Sequence, residues 1–244
     1  PPDGYTLFLA SATHTINPGL RRGKLPYDTL KDFSSITLVT ESPLVFVANL
    51  ALGVGNIKEL VALAKTRPGR INYASSGPGT GGHLSVELLK SQMGIDLVHV
   101  PYKGAGPALT DVIGGQVQMM CTSPLPAMPH VKSGRLKALG MTGRTRSRAA
   151  PDVPTVAEQL AMPFETTLWY ALLAPTGTPQ AVIKRVHAET AKILKSPDLS
   201  AQLLAQGRHR LRVEKPHLRQ ALHRVQRHQT RDRVIAAEQQ APVP

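Results

Sequence analysis

Twice between Ile71 and Ile113 the chain runs from a short strand-like stretch into a glycine-rich loop and on into an amphipathic stretch, and this repeat restricts the fold more than any other feature. Ile71-Asn72-Tyr73-Ala74 alternates as a strand does, and Ser75-Ser76-Gly77-Pro78-Gly79-Thr80-Gly81-Gly82 breaks it. The glycines let the backbone take positive φ and approach a bound group closely, while Ser75, Ser76 and Thr80 add hydroxyls. Leu84, Val86, Leu88 and Leu89 then predict a helix of about three turns that ends near Gly94. The second copy has a strand from Asp96 to Val100, the loop Pro101-Tyr102-Lys103-Gly104-Ala105-Gly106, and a helix from Pro107 to Ile113. A helix start facing such a loop offers unpaired N–H groups and partial positive charge, which is an anion site in outline. The same residues read equally well as ordinary structural turns of an α/β protein. A phosphate loop is excluded, because His83-Leu84 follows Gly82 where Lys-Ser/Thr is needed, and the glycines do not fall on G-x-G-x-x-G spacing. A small neutral or anionic ligand held by backbone and hydroxyls fits better.

The rest of the chain extends the alternation. Tyr5 to Ala10 predicts a strand, followed by a polar loop, Ser11-Ala12-Thr13-His14-Thr15, that closes at the turn signal Asn17-Pro18-Gly19. Ser34 to Thr40 and Leu44 to Ala48 predict two strands or one long bent one. Asn56 caps a helix that Pro68-Gly69 stops. Strands follow at Val117 to Cys121, at Leu136 to Met141 and at Glu165 to Leu173, with helices at Leu125 to Val131, at Asp152 to Leu160, around Val182 to Leu194 and at Pro197 to Ala205. Strands alternating with helices imply parallel βαβ units in a doubly wound sheet, whose ligands sit at strand carboxyl ends. The loops at Ser11, Ser75, Tyr102 and Thr122 all meet that condition.

Charge and cysteine content narrow the chemistry. The single cysteine, Cys121, excludes an internal disulfide and reads as a small buried hydrophobe. The formal charge is +13, but from Arg208 onward nine Lys/Arg stand against three Asp/Glu, a surplus of six in the last 37 residues. The basic balance is therefore concentrated in the tail, and Thr142 to Arg148 reads as a solvated basic turn. No apolar run reaches membrane-span length, no leader is recognisable in Pro1-Pro2-Asp3-Gly4-Tyr5, and a start without methionine suggests a fragment. An enzyme is disfavoured: no Gly-x-Ser-x-Gly elbow or suggestive carboxylate pair is present, so no catalytic residue is assigned. His83 reads as a loop-ordering or helix-start residue, His14 and His99 lack metal-ligand spacing, and Trp169 reads as core. No metal and no cofactor are expected.

Several of these stretches resemble the Bug family, the periplasmic solute receptors of tripartite tricarboxylate transporters. The resemblance covers about residues 1 to 207. It rests on Pro2-Asp3-Gly4-Tyr5-Thr6-Leu7, Ile16-Asn17-Pro18, Asp32-Phe33, Asn72-Tyr73-Ala74-Ser75-Ser76-Gly77 with Gly79-Thr80 and His83-Leu84, Val100-Pro101-Tyr102-Lys103-Gly104, Pro154-Thr155-Val156-Ala157-Glu158, and Trp169 with Ala174-Pro175-Thr176-Gly177-Thr178-Pro179. Each is weak alone, and their order and spacing are specific.

The resemblance implies an α/β, two-lobe, type II periplasmic-binding-protein-like fold with doubly wound sheets. The first lobe would take residues 1–46 and 172–244 and lack its usual first strand, loop and helix. The second would take 47–171, with hinges near Leu44 and Trp169. It implies a receptor that closes over a small carboxylate or dicarboxylate between its lobes and delivers it to membrane permease subunits. The protein would then be periplasmic, monomeric, without enzymatic activity and without specific nucleic acid. By matching position the ligand-binding candidates are Ser11, Thr13 and His14 from the first lobe and Ser75, Ser76, Gly77, Thr80 and Thr122 from the second, with Tyr102, Lys103, Gly104 and Ser123 added. The basic ending after Gly207 is atypical. It keeps two alternatives open: a non-functional remnant of such a receptor, with a shifted reading frame or a decayed gene, and a basic protein that binds nucleic acid through its tail.

Overall fold

The computed structural model describes residues 1–20 and 24–205, which form two compact units. One consists of Pro1–Glu41 and Trp169–Leu203, the other of Ser42–Leu168. The chain passes from the first unit to the second within strand β2 (Phe33–Pro43) and returns within β8 (Thr167–Pro175).

The second unit is a five-stranded sheet in the order β5-β4-β6-β3-β7, made of β3 (Val45–Asn49), β4 (Asn72–Ser75), β5 (Val98–Pro101), β6 (Met119–Thr122) and β7 (Leu136–Met141). Its central strands are apolar on both faces, so helices must cover both. Phe46, Tyr73, Met119 and Cys121 pack with Ile57, Leu60 and Ala64 of α2 (Ile57–Thr66), Val86 and Leu89 of α3 (Gly81–Met93), and Val156 of α6 (Val156–Leu160). On the opposite side Val45, Val47, Ala74 and Met120 pack with Ala108, Leu109 and Val112 of α4 (Ala105–Ile113) and Ala127 of α5 (Pro124–Lys132). Each fully buried large side chain contributes about 2 kcal/mol over its exposed state. Asn56 caps α2 and Gly94 ends α3 in the left-handed conformation, as the sequence predicts.

Strand direction departs from the all-parallel expectation. β4 is parallel to β5 and β6, but β3 is antiparallel to both β6 and β7. The reason is connectivity: β3 follows β2 with only Leu44 between them, so it enters beside Thr122, where β6 ends, and must run back. One edge of the sheet therefore collects the carboxyl ends of β4, β5, β6 and β7 and the start of β3. Thr142 fastens this edge, since its Oγ1 accepts the Leu44 N–H at 2.8 Å and donates to the Thr166 carbonyl at 2.6 Å.

The first unit holds a three-stranded sheet, β1-β8-β2, in which β1 (Phe8–Ser11) lies antiparallel to β8. Helix α7 (Gln180–Leu194) buries Ile183 against Ile36 and Ala174, and α8 (Pro197–Ala205) follows. The polar stretch after β1 is not a loop. It is helix α1 (Ala12–Leu20), with Pro18 inside it. Ala12, Thr15 and Ile16 are buried, and this burial of an i, i+3, i+4 face overrides the weak helix preference of the hydroxyl-rich sequence. The basic tail from Arg208, on which the nucleic-acid and reading-frame alternatives stand, lies outside the described residues.

Candidate functional site

The residues singled out from sequence fall into two groups, one in each unit. Ser75, Ser76, Gly77, Thr80, Tyr102, Lys103, Gly104, Thr122 and Ser123 all lie on the carboxyl edge of the five-stranded sheet. The register brings them together: Ser75 is opposite Pro101, and Ala74 is opposite Met120, two residues before Thr122. The loops also touch, with the Tyr102 N–H bonded to the Ser75 carbonyl at 3.0 Å.

Helix α3 begins unusually close to β6. A Cβ built on Gly82 would stand 2.1 Å from the Cys121 carbonyl oxygen, so only glycine admits this packing. The sequence marks Gly82 as a loop glycine, whereas it belongs to the first turn of the helix. Thr80 occupies the N-cap position but does not cap, because its hydroxyl donates to the Gly77 carbonyl at 2.8 Å. Among the described residues, the N–H groups of Gly81, Gly82 and His83 have no acceptor, while Leu84 bonds the Thr80 carbonyl. Such groups need an outside partner, and the helix dipole favours an anionic one.

The neighbouring helices add to the same edge unequally. Gly104 precedes α4 with φ 129°, a conformation that favours glycine, and offers no side-chain cap, so the Ala105 and Gly106 N–H groups are also open. Helix α5 follows Ser123, which makes no cap bond, and starts with Pro124, which has no N–H to offer. Pro126 lacks one as well, so in its first three residues α5 offers only the Leu125 N–H beside the hydroxyls of Thr122 and Ser123.

The hydroxyls of the edge divide into two kinds. Ser75 is fully buried and Thr80 is turned inward, and both are spent on holding the loop. Ser76, Thr122 and Ser123 make no side-chain hydrogen bond among the described residues. Tyr102 is committed: its hydroxyl donates to Asp111 Oδ2 at 2.6 Å, which pushes its pKa up to about 12. Lys103 is exposed. No arginine comes from these three loops, so amides, hydroxyls and this one lysine are what they present; Arg144 and Arg146, which follow β7 on the same edge, are paired with Glu165 and Glu158.

Sequence reading missed the support beneath the loop. His83 Nδ1 accepts the Gly79 N–H at 3.1 Å, and its ring stacks on His99 at 4.2 Å. His99 lies 4.9 Å from the Tyr73 ring and bonds Ser75 Oγ through Nε2 at 2.6 Å. Tyr73 donates to Glu87 at 2.5 Å, and Glu87 pairs with Lys90 at 2.9 Å. The Gly-Thr-x-x-His spacing carried the His83 contact, and the sequence does indicate a loop-ordering role for that residue. The His99 contact, from another strand, left no local signal. Burial raises the Cys121 thiol pKa well above its ordinary value and keeps it protonated and inert.

In the first unit Ser11 ends β1 opposite Tyr170, and Thr13 is half-buried on α1. His14 is buried among rings, stacked on Tyr27 at 5.6 Å and edge-on to Phe8 and Phe33 at 5.3 and 4.9 Å. Burial lowers its pKa, against an opposing hydrogen bond with the Thr29 backbone.

Residues 1–238 match the family described as the tripartite tricarboxylate transporter family receptor. The chain belongs to that family. The match continues past Gly207, where the recognisable motifs end, into the basic tail. Protein BugT of Bordetella pertussis is 34% identical over 206 residues, which are 84% of this chain and 63% of BugT. Rpa4515 of R. palustris, solved with adipate, superposes with a TM-score of 0.81 at 27% identity, covering 92% of this chain and 75% of that one. MatC from Rhodopseudomonas palustris, solved with bound malate, gives 0.79 at 29% identity, covering 95% and 79%. The receptor family thus accounts for the two-lobe periplasmic-binding-protein-like fold. The chain spans about three-fifths of the length of the curated relatives it matches.

Proposed function

We propose that this chain is the solute-binding part of a tripartite tricarboxylate transporter receptor, and that the carboxyl edge of its five-stranded sheet takes a carboxylate of a small organic acid. The observation that carries this reading is the open start of α3, where three consecutive N–H groups have no acceptor among the described residues, on the same edge as the Ser76, Thr122 and Ser123 hydroxyls, which have no partner among them either. A carboxylate that accepts several N–H and O–H bonds needs no full countercharge, so the absence of an arginine from the three loops is compatible with an anionic ligand. Two structural relatives hold dicarboxylates, adipate and malate, which supports the same ligand class.

The mechanism is binding without chemistry. The α3 amides receive one carboxylate, and Ser76, Thr122 and Ser123 donate to its remaining lone pairs. Lys103 adds long-range attraction from the rim. Ser11, Thr13 and His14 are the first unit's contribution in this reading, and the loaded receptor, working as a monomer in the periplasm, hands its ligand to membrane permease subunits. Thermal-shift screening against mono- and dicarboxylates tests it: ligands of this class raise the melting temperature in proportion to their affinity, while the matching neutral diols do not. No shift with any carboxylate, confirmed by calorimetric titration, rejects the reading.

A further inference from the structure

The loop between β4 and α3 owes its shape to an imidazole pair underneath it. Gly77 and Gly79 take φ of 131° and 74°, which glycine reaches as readily as many other conformations, so the loop needs tethers to select this one. Gly79 is held by His83, whose Nδ1 accepts its N–H. Gly77 is held through Ser75, whose Oγ accepts the Gly77 N–H at 3.2 Å and is itself bonded to His99. The two rings lie 4.2 Å apart at an interplanar angle of 21°.

We propose that His83, backed by His99, is a positioning residue that keeps the Ser76–Thr80 loop in its anion-accepting shape only while its imidazole is uncharged, so that carboxylate binding is acid-sensitive. A proton on Nδ1 turns the acceptor of the Gly79 N–H into a second donor pointed at it, and the tether becomes a repulsion. A charge on both stacked rings adds like-charge repulsion at close range.

The groups facing this pair are few. Helix α3 presents Glu87, which favours the charged forms, and Lys90, which opposes them; β4 presents the Tyr73 phenol; β6 presents the buried, protonated Cys121 thiol to α3 at Ser85. Glu87 is shared between Tyr73 and Lys90, so burial prevails, holding His83 at about 4 and lowering His99. The pair is therefore neutral under ordinary conditions and charges on strong acidification.

The proposal rests on the carboxylate reading above, and its test carries a readout that needs no ligand. Full-length wild type is compared with His83→Asn, whose side-chain oxygen replaces the acceptor but does not titrate, and with His83→Leu, which removes it. Hydrogen exchange of the Gly79 amide and malate affinity are measured at neutral pH and near pH 4. The amide is protected at neutral pH in wild type and His83→Asn and exchanges faster by about tenfold in His83→Leu, the loss of one net hydrogen bond. Malate affinity at neutral pH drops by a similar factor in His83→Leu and by less in His83→Asn, and the acid-side loss, scaled to each protein's own neutral value, is steeper in wild type than in His83→Asn. Unchanged Gly79 protection in His83→Leu, or matching pH profiles in wild type and His83→Asn, overturns the proposal. If the amide follows His83 as stated but wild type binds neither malate nor adipate, the tether stands and the carboxylate reading fails.

Discussion

Helices α2 and α3 lie on the same face of one sheet, yet their starts are built in opposite ways. At α2 the Asn56 side chain accepts the Glu59 N–H at 2.9 Å, Glu59 accepts the Gly55 N–H at 2.6 Å, and Gln159 reaches in to accept the Ile57 N–H at 2.8 Å. With Leu60 bonded to the Asn56 carbonyl, the N–H groups of Gly55, Ile57, Glu59 and Leu60 all have acceptors. At α3 the residue in the cap position turns its hydroxyl back into the loop and leaves three donors without an acceptor among the described residues. Helix α6 follows the α2 pattern, with Thr155 accepting the Glu158 N–H at 3.0 Å, while α4 follows α3. Among the described residues, the open starts of α3 and α4 follow β4 and β5, whose carboxyl ends lie side by side. Unmet hydrogen-bonding capacity costs stability, so its concentration at one edge marks where an outside partner belongs.

The contrast yields expected outcomes that differ in size. Gly82→Ala has the largest, because the new methyl meets the Cys121 carbonyl and either α3 or β6 must move. Overpacking of this kind costs about 1–3 kcal/mol, and calorimetric titration should show ligand binding abolished. Thr80→Asp closes α3 as Asn56 closes α2. Chemical denaturation should show a gain of about 0.5–1 kcal/mol while carboxylate affinity falls by about tenfold, since the new charge occupies the ligand's place. Asn56→Ala opens α2 instead; it should lose about 1 kcal/mol of stability with affinity unchanged. Equal effects of the last two variants on binding would erase the distinction between the two helix starts.

The smallest effect is on the acid limb of stability. His14, His83 and His99 all have folded pKa values below 6.5, so the unfolded chain takes up protons first as pH falls. Their contribution is complete above 6.5 and is lost as pH drops from there toward the folded value of His83, about 4. Differential scanning fluorimetry should show the melting temperature falling by a few degrees across that window, about what a 1 kcal/mol loss produces, with a shallower fall in His83→Asn. An identical curve for the variant would show that His83 is not the group responsible.

What could be read ahead of the structure follows from how local each signal is. Asn56 and Gly94 announce helix ends because capping is decided within a few residues, and β8 alternates half-buried and buried residues from Leu168 to Leu173. The start of α1 was illegible because Ser11, Thr13 and Thr15 mimic a loop, and only burial of Ala12 and Ile16 makes them helical. The loops of the second unit were visible as glycine clusters. Which hydroxyls are free was not, because the fate of Ser75 is set by His99 on the neighbouring strand. The antiparallel entry of β3 was hidden for the same reason, since strand direction depends on where the chain returns from the other unit.

The central claim is that the α3 amides receive the ligand's carboxylate. Amide chemical shifts followed during titration with malate, or with adipate should malate not bind, test it directly. Binding should move the Gly81, Gly82 and His83 N–H signals downfield together and leave those of Ile57 and Glu59 at the start of α2 in place. A titration that saturates while Gly81, Gly82 and His83 stay where they are would contradict the account.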